Sequence, residues 1–187
     1  MNTYKELSNQ FLFHIREANR IAAQMGINKP FSGNRLIESL TSLPLGHQIS
    51  QDIAGHDAFD ERGKGVEYKS IQKGNGKGGS ASYNIGFGDS WEEQENELAR
   101  STLGHHQHFI ARIDYDSYPI VDSIWRVDGV SVFNCLRPKI RRHWEARRSG
   151  KREMVLVPKV KDPRSKANLS MKEIMTHGEL VHNSEAS

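Results

Sequence analysis

The sequence holds one cysteine, Cys135, in 187 residues. A single thiol excludes an internal disulfide and any zinc site built from several cysteines. Without a partner motif it reads as a small core residue rather than a nucleophile. Long apolar runs are also missing: no stretch approaches the roughly 20 residues of a spanning helix, so no membrane-embedded segment is expected. The first residues, MNTYKELSNQ, lack the cationic start and apolar core of a signal peptide, so the expected location is cytoplasmic. With 36% hydrophobic and 26% charged residues, the composition is that of a polar globular protein and not of a wholly disordered chain. The length fits a single domain over residues 1–187.

The net charge is only +3, but residues 137–166 contain 12 Lys/Arg against Glu145, Glu153 and Asp162. That segment is +9 and the remainder is −6, so the C-terminal third carries the positive field of a surface that meets phosphates. A solvated basic helix is the plain alternative.

Leu7, Phe11, Ile15, Ala18, Ala22 and Met25 recur at spacings of three and four, which predicts an amphipathic helix ending near Gly26. Residues 28–34, with Pro30 and Gly33, read as a loop. Arg35 to Leu43 reads as a second helix, with Glu38 at the edge of its apolar face and Pro44 opposing continuation. The string DAFDERGKGVEYKS over 57–70 then predicts a hairpin around Gly63 and Gly65, and KGNGKGG over 73–79 a loop. A third strand is expected at 82–87, followed by a helix from Trp91 to Leu103 capped by Asp89-Ser90 and ended by Gly104. HFIARIDYD and PIVDSIWRV read as two strands. Residues 132–148 read as a helix in which Pro138 occupies a first turn or makes a break. MVLVPKV is strand-like, and Ser170 to His177 is a short helix with Glu173 completing its cap and Gly178 as its stop. This order implies an α/β or α+β domain with a mixed sheet flanked by helices.

On a strand, residues two apart share a face, so Glu67 and Lys69 project together while Val66 and Tyr68 face the other way. If the hairpin brings Asp57 back beside Glu67, two carboxylates and the Tyr68 carbonyl offer oxygen ligands to a hard cation, with magnesium the natural candidate. Such an ion polarises a phosphodiester and activates a bound water. Lys69 would orient that water or take its proton. By chance this composition yields about one or two acid-x-Lys triplets. The weight therefore lies in the context of strand, glycine turn and upstream aspartate. An ordinary cross-strand ion pair on an exposed hairpin is the competing reading.

GHDAFDERGKGVEYKS resembles the motif region of PD-(D/E)XK nucleases, most nearly the type II restriction endonucleases, over residues 34–90. The resemblance implies a restriction-endonuclease-like sheet, with Asp57 as first metal-binding acid, Glu67 as second and Lys69 as the lysine. His56 stands where the family's proline usually does, and Asp52 and Asp60 compete with Asp57 for the first acid. Glu38, on the preceding helix, stands where the resemblance would place an additional metal-site or supporting glutamate. The implied activity is magnesium-dependent, sequence-specific cleavage of double-stranded DNA by a homodimer. A cognate methyltransferase in the same system need not touch it.

Lys73 and Lys77 are candidates to close over a DNA backbone, although the loop lacks P-loop spacing. Arg137, Lys139, Arg141, Arg142, Arg147 and Arg148 surround Trp144, a mixture suited to phosphate contact and stacking. His105, His106 and His108 in HHQH read as ordinary histidines at a strand entrance, with His106 and His108 on one face if the strand has begun. The rival functions are a repair, junction-resolving or homing nuclease of the same fold, and a DNA-binding protein without catalysis.

Overall fold

The alternation in GVEYKSIQ builds the strand that organises the molecule. Val66, Tyr68 and Ile71 are buried while Glu67 and Lys69 are half-buried. The computed structural model describes residues 4–27, 31, 34–50, 55–72, 79–114, 121–149 and 164–184. Helices α1 (Tyr4–Gln24) and α2 (Arg35–Ser42) come first, and a 3-10 turn at Leu43–Leu45 follows where Pro44 denies α2 its next hydrogen bonds. Three strands then form an antiparallel ladder: β1 (Gln48–Ile49), β2 (Ala58–Phe59) and β3 (Gly65–Gln72).

Strand β4 (Ser80–Gly86) leaves this ladder and leads into α3 (Trp91–Thr102), which carries the chain back to β5 (Gln107–Ile113). Because a helix lies between them, β5 can run parallel to β3, with Glu67 beside His108 and Lys69 beside Ile110. β6 (Val121–Asp128) and β8 (Glu179–Asn183) complete a six-stranded sheet ordered β1-β2-β3-β5-β6-β8. Between them lie α4 (Gly129–Arg148), β7 (Arg164–Ser170) and α5 (Met171–His177). β7 pairs antiparallel with β4 in a second, two-stranded sheet. The result is a mixed α/β architecture with a central sheet flanked by helices.

Each face of the sheet buries its own core. Val66, Tyr68, Phe109, Ala111 and Ile124 pack with Ile37 and Leu40 of α2, and with Ala22 at the end of α1. On the other face Ile71 and Ile110 pack with Tyr83 and Ile85 of β4, Leu98 of α3, and Leu136 and Ile140 of α4. This second core fixes α3 and β4 above the face that carries Glu67 and Lys69.

Several expectations need correction. Of the apolar stripe on α1, Ala22 is buried and Ile15 half-buried, but Ala18 and Met25 are exposed. Among the described side chains of α1 only Ala22, near its end, is buried in the core. Pro138 neither starts nor breaks its helix. It stands inside α4, where Pro138 and Asn134 are both exposed, so water can take the carbonyl that the missing N–H would have engaged. The two short strands β1 and β8 and the polar strand β7 were not expected. MVLVPKV and residues 73–78 lie outside the described residues.

Candidate active site

The hairpin sets Asp57 beside β3. Asp60 Oδ1 accepts hydrogen bonds from the Arg62 and Lys64 N–H groups at 2.9 and 2.8 Å, and Gly63 takes the positive φ of 72° that the turn needs. The turn thus consumes Asp60. It also closes the β2–β3 ladder so that the Asp57 N–H donates to Val66 O at 3.1 Å, while Asp57 Oδ2 accepts from the Tyr68 N–H at 2.7 Å. Asp57 therefore lies against the strand carrying Glu67 and Lys69. Asp52 lies outside the described residues.

The site's electrostatics report this crowding. Burial, and then the adjacent Glu67, push the Asp57 carboxyl up to about 6, against the Tyr68 N–H, Lys69 and His105, which pull it down. Glu38 joins from α2. Its carboxyl is raised by burial first and by Asp57 second, while Arg35 holds it at 3.2 Å and also donates to Ser50 O at 3.0 Å. Asp57 thus stands between Glu67 of β3 and Glu38 of α2.

Lys69 Nζ forms an ion pair with Glu67 Oε1 and donates to Tyr68 O at 3.3 Å. It stands 5.4 Å from the centre of the Tyr83 ring, a cation-π arrangement that supports the ammonium from below. Tyr83 is held in turn by the Nδ1 atom of buried His108 at 3.3 Å, and His108 Nε2 lies 3.0 Å from Thr102 O at the end of α3. A carbonyl only accepts, so Nε2 carries the proton and Nδ1 accepts from the Tyr83 hydroxyl. Burial lowers His108 to about 4, which keeps it neutral.

Sequence reasoning treated His105 and His56 as incidental, but the fold brings both to Glu67. His105 Nε2 lies 3.5 Å from Glu67 Oε2, and the Nδ1 atoms of His105 and His56 are 3.0 Å apart. Burial, and then His56, hold His105 down at about 4. A neutral His105 places its proton best on Nε2, toward the carboxylate, and accepts from His56 at Nδ1. No local pattern announces this arrangement, because the parallel β3–β5 pairing creates it. Gly65 admits it, since a side chain there would occupy the space of the His56 ring. His106 does not share a face with His108. The strand begins only at Gln107, and His106 lines a separate hollow with His47 and Asp60.

Glu67 opens onto a cleft of about 430 Å³ bounded by Glu67, Lys69 and His105 on one side and by Ser82, Asn84 and Arg100 on the other. Among the described residues no three His, Cys, Asp or Glu side chains form a metal-holding group. Glu67 lines the cleft, while Asp57 and the Tyr68 carbonyl stand beside Glu67 along β3. Burial first and Glu67 second raise the Asp57 carboxyl, and these oxygens are the ones this corner offers a hard cation.

The predicted DNA-binding side chains divide. Lys73 and Lys77 lie outside the described residues. On α4, Lys139 binds Glu173 at 2.6 Å and Asn168 O at 2.7 Å, Arg141 binds Glu145 at 2.5 Å, and Arg137 binds Glu95. Arg141 also lies 4.5 Å from the centre of the Trp91 ring, Arg148 lies 5.4 Å from that of Trp144, and Arg147 lies 4.8 Å from that of Phe87. Arg142 and Arg148 are exposed. Much of this basic helix is thus engaged with its own fold.

No protein-family model matches the chain, and a search of curated proteins finds no relative. No described helix is long and apolar enough to cross a membrane.

Proposed function

We propose that this chain is a magnesium-dependent endonuclease of the PD-(D/E)XK kind, cutting double-stranded DNA at specific sites as a homodimer, with a restriction-endonuclease-like sheet. The observation that carries the reading is the gathering of Asp57 beside Glu67 and Lys69, the latter two lining an open cleft, with burial and then repulsion holding the Asp57 carboxyl at about 6. Packing alone gives no reason to collect acids in this way, and a surface that merely bound phosphates would be weakened by them.

Asp57, Glu67 and the Tyr68 carbonyl would hold the ion, which when bound supplies Lewis-acid stabilisation of the attacked phosphate and a more acidic water. Lys69, fixed between Glu67 and the Tyr83 ring, orients the attacking water through its ammonium donors. His105 keeps the Glu67 carboxylate facing the cleft. Glu38, braced by Arg35, supports Asp57 from behind. The exposed Arg142 and Arg148, with Lys73 and Lys77, are the remaining candidates for backbone contact.

The test is cleavage of mapped phage DNA with magnesium, with EDTA, and with Lys69→Ala protein. Discrete fragments from the first sample alone support the reading. Intact DNA in all three, from folded protein that still retards the DNA on a gel, favours a binding protein without catalysis.

A further inference from the structure

The cleft does not end at the carboxylates. Asn84, Arg100 and Ser101 line both this cleft and a second hollow of about 650 Å³ that continues along β4 and the side of α3 past Phe87 and Asn96. The two form one trough, with Arg100 at the join. Its side chain, on the last turn of α3, is 74% exposed. It pairs with Glu97, one turn earlier at 2.6 Å.

Gly86 is what places Glu97 there. A side chain at that strand position would occupy the space of the Glu97 carboxylate, so the glycine lets the carboxylate rest against β4 and draws the Arg100 guanidinium toward the trough. The other acid of the trough, Glu93, is occupied by the helix cap, accepting from the Asp89 and Ser90 N–H groups at 2.8 and 3.2 Å. The Ser82 hydroxyl, on the wall of the cleft, is buried without a hydrogen-bond partner among the described residues.

A phosphodiester chain entering a cleft lined by Glu67, with Asp57 beside that carboxylate, needs cations to offset their repulsion. Lys69 is already paired with Glu67. Arg100 is the described guanidinium that lines the same cleft, and an exposed pair between neighbouring turns of one helix is weak enough to exchange. A guanidinium fork binds a phosphate in a bidentate manner.

We infer that Arg100 is a substrate-binding residue, receiving a backbone phosphate of the nucleic-acid strand next to the one attacked and releasing Glu97 to do so. Glu97 then serves as a place-holder that keeps the guanidinium in position while the trough is empty. This rests on the nuclease reading of the same cleft and adds a path of the bound strand along β4 and α3.

Wild-type, Arg100→Ala, Arg100→Lys and Glu97→Gln proteins are compared for binding of a labelled mixed-sequence duplex in calcium across a salt series, and for cleavage in magnesium. Arg100→Ala is expected to weaken binding and raise KM by about tenfold, the loss typical of one charged hydrogen-bonding contact. It should also flatten the dependence of log K on log salt by about 0.9, which is one phosphate. Saturated kcat should change far less, Arg100→Lys should recover part of the affinity, and Glu97→Gln should bind at least as tightly as wild type. Wild-type cleavage together with an Arg100→Ala protein of unchanged affinity and salt slope overturns this inference and leaves the nuclease reading standing. A folded wild-type protein that neither binds nor cuts any duplex overturns both. Melting temperatures serve as the folding control, and because Arg100 is exposed they should agree.

Discussion

Along α4, Lys139 meets Glu173, Arg141 meets Glu145 and Arg137 meets Glu95, each cation closing on an acid of its own fold. Beside the cleft, acids are pressed together instead, with Asp57 set against Glu67 and Glu38 near Asp57. The first region satisfies its charges and fastens α4 to α3, α5 and β7. The second leaves a conflict that the fold tolerates. The basic segment, +9 by sequence, looks like the interaction surface when charges are only counted. Geometry reverses that order: paired charge indicates structure, and unrelieved charge in a cleft indicates a site.

The comparison breaks most visibly under substitution of Lys69. Lys69→Ala should reduce cleavage by about 10²- to 10⁴-fold, the range for losing a positioned proton-transfer or water-orienting group, while the melting temperature barely moves. Arg141→Ala should leave cleavage within a fewfold of wild type. If the effects are exchanged, with Arg141→Ala inactive but folded and Lys69→Ala active, the assignment of site and scaffold is inverted.

Next in size is the response to acid of the layer beneath the cleft. His108 titrates at about 4 in the folded protein, below its ordinary 6.5. Below pH 6.5 the unfolded chain takes up a proton that the folded one refuses. The stability is therefore fully present above 6.5 and is lost as pH falls toward 4, by about 3 kcal/mol. Urea unfolding at pH 7 and pH 4.5 measures this loss, and His108→Gln should flatten it. An equal slope in the variant would show that His108 is not buried neutral.

The smallest effect belongs to α4 itself. Arg141→Ala removes an exposed ion pair and the stacking on Trp91, which together are worth about 1 kcal/mol. Thermal unfolding should fall by a few degrees. No change would mean that the cation-π contact adds nothing to the hold between α3 and α4.

Much of this was legible in local pattern. The alternation of GVEYKSIQ put Glu67 and Lys69 on one face, and the glycine turn set the hairpin. The Ser170 and Glu173 pair forms the expected capping box. The part Asp60 plays is also local, because aspartate three residues before glycine is a turn signature and Asp60 does hold the turn, while Asp52 lies outside the described residues. What stayed hidden depends on pairing across distance. His105 reaches Glu67 only because β5 lies parallel to β3, β7 is a polar strand made by its pairing with β4, and the partners of the α4 cations stand on other elements. Periodicity within one segment carries none of that information.

The central claim, that the fold keeps Asp57 against Glu67 beside the cleft for a cation at the expense of stability, is tested most directly by melting wild-type and Asp57→Asn proteins at pH 7.5 with and without magnesium. Asp57 titrates near 6 rather than at 3.8. Its raised value favours the folded state fully below 3.8, and that advantage is lost as pH rises through 6. At pH 7.5 the ionised pair therefore strains the fold, and asparagine removes the strain. The account predicts that Asp57→Asn melts higher than wild type without metal, by an amount equivalent to about 1–3 kcal/mol, and that magnesium raises the melting temperature of wild type but not of the variant. An Asp57→Asn protein that melts lower, with magnesium acting equally on both or on neither, would contradict it.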